Sequence, residues 1–156
     1  MDLTPVTPRL ERLCRATVTL ATPQELGTTP LGERRIIPIT GGSFAGERLN
    51  GTILPGGADW QLVRPDGAAL LDARYTLLTD DGALIYVSNR GLRHGPPAVL
   101  ARLRRGEIVD PAEYSFRTVP TFETGAAAYA WLNDLLAICS GVRTADAVIL
   151  DFYAVR

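Results

Sequence analysis

Apolar and polar residues alternate with a period of two along most of the chain. In CRATVTLA, Cys14, Ala16, Val18 and Leu20 alternate with Arg15, Thr17 and Thr19. That is the pattern of a strand with one buried face. Further strands are predicted in ERRIIPIT (33–40), ERLNGTILPGG (47–57), ADWQLVR (58–64), AALLDARYTLL (68–78), ALIYVSNRG (83–91) and YSFRTVPTFET (114–124). DAVILDFYAVR (146–156) closes the series, with Val148, Leu150, Phe152 and Ala154 on one face. Pro38 inside the second strand points to an edge or a bulge, and Gly41-Gly42 punctuates that strand. TPQELGTTPLG (22–32) reads as a polar connection, and AVLARLRRGEIVDPAEY (98–114) as mobile or partly helical. GAAAYAWLNDLLA (125–137) is the one segment with a helical stripe, Tyr129, Leu132 and Leu136.

Many short strands with one helix predict an all-β fold. A closed antiparallel barrel of about eight strands, with one short helix near the C-terminus, is expected over a single domain of residues 1–156, and a sandwich is the alternative. A barrel of that size holds one small ligand.

Two turns set the expected register. Pro65-Asp66-Gly67 fits a three-residue loop, which places Asp59 opposite Ala73. Asp81-Gly82 read as a two-residue loop places Tyr86 opposite Leu77 and Arg90 opposite Ala73. One face then carries Asp59, Gln61, Val63, Leu71, Ala73, Tyr75, Leu77, Leu84, Tyr86, Ser88 and Arg90. Asp59, Ala73 and Arg90 share a row on it, an acid and a base flanking a small residue, with aromatic walls beside them. The other face carries Trp60, Leu62, Asp72, Arg74, Thr76, Leu78, Ile85, Val87 and Asn89. If that face is the interior, Trp60 and Arg74 are the candidates. A structural ion pair at a barrel mouth is the competing account of Asp59 and Arg90.

Composition narrows the chemistry. The formal net charge is −1, so nothing favours nucleic acid or an anionic membrane as partner. All 16 basic side chains are Arg, which excludes a lysine Schiff base and a lysine general base. Cys14 and Cys139 have no metal-ligand spacing and read as buried hydrophobes in a reducing compartment. No secretory leader and no apolar run of membrane-spanning length occur, so a cytoplasmic location is expected. His94 is the only histidine, and a metal site is not expected. GGSFAG lacks the strand-to-helix context of a nucleophile elbow. Neither a phosphate loop nor a dinucleotide fingerprint appears.

Cofactor-free acid–base chemistry remains. Asp59 or Glu123 would move a proton, and Arg90, Arg74 or Arg35 would hold a carboxylate, enolate or phenolate. A tyrosine, Tyr75 or Tyr86, would serve as acid. Glu123 is equally well explained by a favourable place at a helix start, and Trp131 by burial. Apolar residues on both strand faces predict a homodimer or larger homo-oligomer. A non-enzymatic carrier or sensor is the alternative function.

GERRIIPITGGSFAG (32–46), LNGTILPGGADWQLVRPDGAALLDARYTLLTDDGALIYVSNRG (49–91) and RTVPTFETGAAAYAWLN (117–133) together resemble the family catalogued as domain of unknown function 3237, also called UPF 0311. The resemblance implies a closed antiparallel barrel with one helix. It marks Arg35, Gly41, Gly42, Gly56, Gly57, Asp59, Trp60, Arg74, Tyr75, Asp81, Gly82, Arg90, Phe122, Glu123, Thr124 and Trp131 as motif positions. It brings no settled reaction. Relatives in specialised-metabolite gene clusters suggest tailoring chemistry on polyketide-like or lactone substrates; with the acid–base residues above, an isomerase-, cyclase- or lyase-type reaction on an aromatic, polyketide-like or lactone molecule is expected.

Overall fold

In the computed structural model, which describes residues 1–156, the period-two segments form ten strands. They are β1 (Leu10–Leu20), β2 (Gln24–Thr29), β3 (Gly32–Gly46), β4 (Gly51–Ile53), β5 (Ala58–Val63), β6 (Ala69–Thr79) and β7 (Leu84–His94). A helix, α1 (Pro97–Arg104), follows, then β8 (Ser115–Glu123), β9 (Ala137–Arg143) and β10 (Ala147–Val155). Every pairing is antiparallel. The ring closes because β1 pairs with β10 on one side and β3 on the other. β4 and β5 share one place between β3 and β6, which makes an eight-stranded closed barrel. Closure leaves little unpaired edge.

The long β3 is flanked by β2 over its first half and by β1 over its second. Pro38 lies where one partner gives way to the other, between Ile36 (paired with Gln24) and Ile39 (paired with Leu20). Its missing N–H therefore interrupts no ladder bond, while its carbonyl accepts from the Ala21 N–H. Gly41 and Gly42 do not end the strand. They carry it past β1 with φ of 150° and 136°, and a Cβ on Gly42 would stand 2.0 Å from the Thr17 carbonyl oxygen. These glycines allow two backbones to close tightly at a bend.

Three segments depart from the expectation. The polar connection 22–32 contains β2, whose residues are nearly all exposed, so no alternation marks it. β9 buries Ala137, Cys139 and Gly141 and starts inside the segment expected to be helical. That segment, 125–137, instead holds one 3-10 run, Ala127–Leu132. It must bridge β8 and β9 within 13 residues. Its ends are tied by Asn133, which accepts from the Thr124 N–H at 2.9 Å and donates to the Thr124 carbonyl at 3.0 Å. Tertiary closure overrides the local preference of the alanines. The α-helix is α1, in the segment expected to be mobile, and it buries Val99 and Leu103.

The first hairpin turn has the expected three-residue loop, and Asp59 lies opposite Ala73. The second does not have two residues. Thr79 and Ala83 bracket Asp80, Asp81 and Gly82, with Gly82 at φ 91°. The Thr79 hydroxyl accepts from the Ala83 N–H at 2.8 Å, and the Tyr129 hydroxyl donates to Asp81 at 2.9 Å, fastening the wider loop. An odd change in loop length moves the register by one and turns every β7 side chain to the opposite face. Tyr86 pairs with Thr76, Ser88 with Arg74 and Arg90 with Asp72. Ile85, Val87 and Asn89 turn inward instead, and all three are buried. Leu84 and Tyr86 remain exposed on the outer wall.

One half of the interior is packed solid by residues such as Phe44, Leu77, Ile85, Phe122, Cys139 and Phe152. The Phe122 and Phe152 rings lie 6.1 Å apart. A small cavity remains among other inward side chains.

Candidate functional site in the barrel lumen

The barrel interior holds a cavity of about 60 Å³ lined by 16 residues, 10 of them hydrophobic. Its polar lining comes from five strands: Asp59 and Gln61 on β5, Tyr75 on β6, Asn89 and Arg93 on β7, Thr118 on β8 and Arg143 on β9. The alternation within each strand turns these side chains inward. Four buried side-chain atoms have no hydrogen-bond partner: the Tyr75 hydroxyl, Asn89 Oδ1, Arg93 Nε and the Thr118 hydroxyl. All four belong to residues lining this one cavity. Buried polar atoms without partners are scarce in folded proteins, so their convergence marks the cavity chemically.

Asp59 sits in the wall with its carboxylate held on both oxygens. Oδ1 accepts from the Asp72 N–H at 2.9 Å and Oδ2 from Gln61 Nε2 at 3.1 Å. Gln61 in turn accepts from Arg35 Nη1 at 3.0 Å, and Arg35 is also paired with Glu25 at 2.9 Å. Burial raises the Asp59 pKa above its ordinary value, opposed by those two hydrogen bonds and by the charge of Arg93. Burial likewise raises the Tyr75 phenol.

Arg93 is 9% exposed and forms no salt bridge. Burial, then the neighbouring charge of Arg143, brings its pKa down to about 10. Arg143, lowered for the same reason and by Arg35, donates to the Ala147 carbonyl at 3.2 Å. Arg93 also borders a second, open groove of about 410 Å³ that lies beside α1 and the Pro65–Gly67 turn and reaches Arg35 and Arg104. Arg93 thus stands between the groove and the lumen.

Of the residues expected at the site, Asp59, Tyr75 and Ala73 line the cavity, and Arg35 reaches it through Gln61. The one-residue register shift places Tyr86, Ser88 and Arg90 on the outer wall. There Arg90 and Arg74 both pair with Asp72, at 3.3 and 3.4 Å. Trp60 is outside too, with the Arg74 guanidinium 5.6 Å from its ring. Glu123 ends β8 exposed and pairs in register with Tyr86. Trp131 lies under Arg48, at 4.2 Å from the ring. His94 is exposed at the end of β7. No three His, Cys, Asp or Glu side chains gather to hold a metal ion. Sequence reasoning missed Asn89, Arg93, Thr118 and Arg143. The first two follow once the Thr79–Ala83 turn is counted as three residues. Nothing local marks Arg143, which lies on a strand the periodicity did not reveal.

The family model described as "Protein of unknown function (DUF3237)" matches residues 8–155, and the chain belongs to that family. A UPF0311 protein of Rhodopseudomonas palustris is 46% identical over 155 residues, covering 96% of this chain and 99% of the relative. The crystal structure of a beta-barrel like protein from Acinetobacter baumannii superposes with a TM-score of 0.88 at 47% identity, covering 99% of this chain and 100% of that one. An enzyme from Penicillium herquei has the same fold at 23% identity, with a TM-score of 0.74 and all of both chains covered.

Proposed function

We propose that the lumen binds a small organic molecule carrying an enolisable carbonyl and that Asp59 moves its proton without a cofactor. The observation that carries this reading is the convergence of all four unpartnered buried polar atoms on the cavity beside Asp59. Apolar walls with a few aimed polar groups suit such a ligand. A carboxylate with a raised pKa is a better acid–base group near neutral pH than an ordinary one.

In the proposed step the Asp59 carboxylate takes a proton from the carbon next to the carbonyl. The C–H electron pair becomes the enolate, whose oxygen accepts hydrogen bonds from the Arg93 guanidinium or the Tyr75 hydroxyl. Return of the proton to a different carbon completes an isomerisation. Attack of the enolate on an electrophilic carbon of the same molecule, with the proton going to the group that gains the electrons, completes a cyclisation. The fold shared with an enzyme from Penicillium herquei is compatible with a catalytic role. A carrier would use the same walls and leave Asp59 idle.

The test is solvent-deuterium exchange into pentane-2,4-dione and 4-oxopentanoate, followed by proton NMR. The native protein is expected to accelerate exchange of at least one of them, and Asp59→Asn to lose that acceleration while remaining folded. Exchange no faster than with heat-denatured protein, or undiminished in Asp59→Asn, overturns the assignment of Asp59 as base.

A further inference from the structure

The charge balance of the lumen specifies the ligand further than its size does. Arg93 and Arg143 line the cavity and Arg35 joins Arg93 in the adjoining groove, and the charges of both neighbours depress Arg93. One carboxylate, Asp59, faces them, and both of its oxygens are already engaged by the Asp72 N–H and Gln61. Arg35 is occupied by Glu25 and Gln61. Neither Arg93 nor Arg143 forms a salt bridge, and Asp59 is the one carboxylate whose charge reaches both. An inward guanidinium that is nine-tenths buried, with Nε unpartnered, is costly unless an anion meets it. Its planar fork matches the two oxygens of a carboxylate.

The other unpartnered atoms lie deeper. Thr118 pairs in register with Gly91, two residues in from Arg93 on β7 and roughly 7 Å along the strand at the usual rise, and Asn89 lies two residues further in. The Thr118 and Tyr75 hydroxyls can donate and Asn89 Oδ1 can accept. The two hydroxyls suit a ketone oxygen, and Asn89 Oδ1 suits a hydroxyl of the ligand. Between the two polar ends the walls are apolar, Leu71 and Leu150 among them.

We propose that the ligand class is an organic acid bearing a ketone or hydroxyl oxygen. Its carboxylate sits on Arg93 and Arg143 at the open end, and its neutral oxygen accepts from the Thr118 or Tyr75 hydroxyl inside, with Asn89 Oδ1 accepting only where the ligand carries a hydroxyl. The cavity of 60 Å³ admits about four to six non-hydrogen atoms, on the scale of one water per 10–15 Å³. A slightly larger acid keeps its oxo end in the cavity and its carboxylate at the mouth, where Arg93 also borders the 410 Å³ groove. This rests on the lumen being the binding site, as proposed above, and narrows what it binds.

Calorimetric titration with 2-oxobutanoate, 3-oxobutanoate and 4-oxopentanoate, each against its methyl ester, tests it. At least one acid is expected to bind, with its ester about 30-fold weaker or more. Arg93→Met is expected to abolish that preference and to raise the thermal midpoint, because it removes a buried charge; a purely structural arginine would lower the midpoint. Thr118→Val is expected to weaken the oxo acid but not pentanoate. Esters that bind as tightly as acids, an Arg93→Met protein with unchanged preference, or no binding by any of the three acids overturns the proposal. Asp59-dependent exchange of the neutral pentane-2,4-dione alongside such a result would leave the lumen reading standing and remove only the acid. Loss of both would remove the two together.

Discussion

Asp59 and Asn89 stand on either side of Ala73 in one row of the barrel wall, on strands β5, β6 and β7. Ala73 has no side chain beyond Cβ to separate them, and the cavity opens over it. The row joins the lumen's one carboxylate to one of its unpartnered acceptors.

Ala73→Leu fills the space over the row. Three added carbons consume much of a cavity of 60 Å³, so ligand binding is expected to fall at least 10-fold. Stability should change by no more than about 1–3 kcal/mol, the usual range for overpacking. Calorimetric titration and urea unfolding of the same variant check both. Full ligand binding by a folded Ala73→Leu protein would show that this row does not line the site.

Asp59-dependent exchange should have an acidic limb centred above 3.8, the ordinary carboxylate value, because burial raises the folded pKa. Removing the positive charge in Arg93→Met should move that limb to still higher pH. The thermodynamic counterpart has a definite sign. Asp59 contributes stability that is complete below the ordinary carboxylate pKa and is lost as pH rises through the raised folded value. Rate profiles and thermal midpoints across pH 3–8 measure the two effects; a limb at or below 3.8 would contradict the burial of this carboxylate.

Asp151 should show the opposite pH dependence. Arg15 and Arg12 grip it at 2.7 and 3.0 Å across the β1–β10 seam and hold its pKa down to about 2. Its contribution is present above the ordinary carboxylate pKa and lost as pH falls through about 2. Asp151→Asn is expected to cost about 1 kcal/mol at pH 7, since the arginines are largely solvated. The difference from the native chain should shrink in unfolding experiments near pH 2.

Gly82 and Gly42 should respond differently to alanine. At Gly82 a Cβ meets nothing within 4 Å, so Gly82→Ala is charged only with the φ of 91°, about 1 kcal/mol. At Gly42 the new Cβ would stand 2.0 Å from the Thr17 carbonyl oxygen, so Gly42→Ala must part β3 from β1 and is expected to cost more than about 3 kcal/mol. Urea unfolding of the two variants, with equal costs as the contrary outcome, decides it.

The sequence by itself determined what local chemistry controls. Alternation located the strands that bury one face, as in Val148, Leu150, Phe152 and Ala154. Pro65-Asp66-Gly67 set the β5–β6 register and so placed Asp59 beside Ala73. β2 escaped because it buries almost nothing, and the alanines at 126–128 signalled a helix that the span from β8 to β9 does not permit. Which β7 face looks inward was decided by tertiary structure. One extra residue in the Asp80–Gly82 loop, stabilised by Thr79 and by Tyr129 from a distant segment, exchanged Arg90 for Asn89 and Arg93. Strand periodicity says which residues share a face within a strand, but the face common to two strands depends on the parity of the loop between them. The meeting of Arg93 with Arg143 required the barrel to close, because β7 and β9 are brought around one lumen only by the ring of pairings.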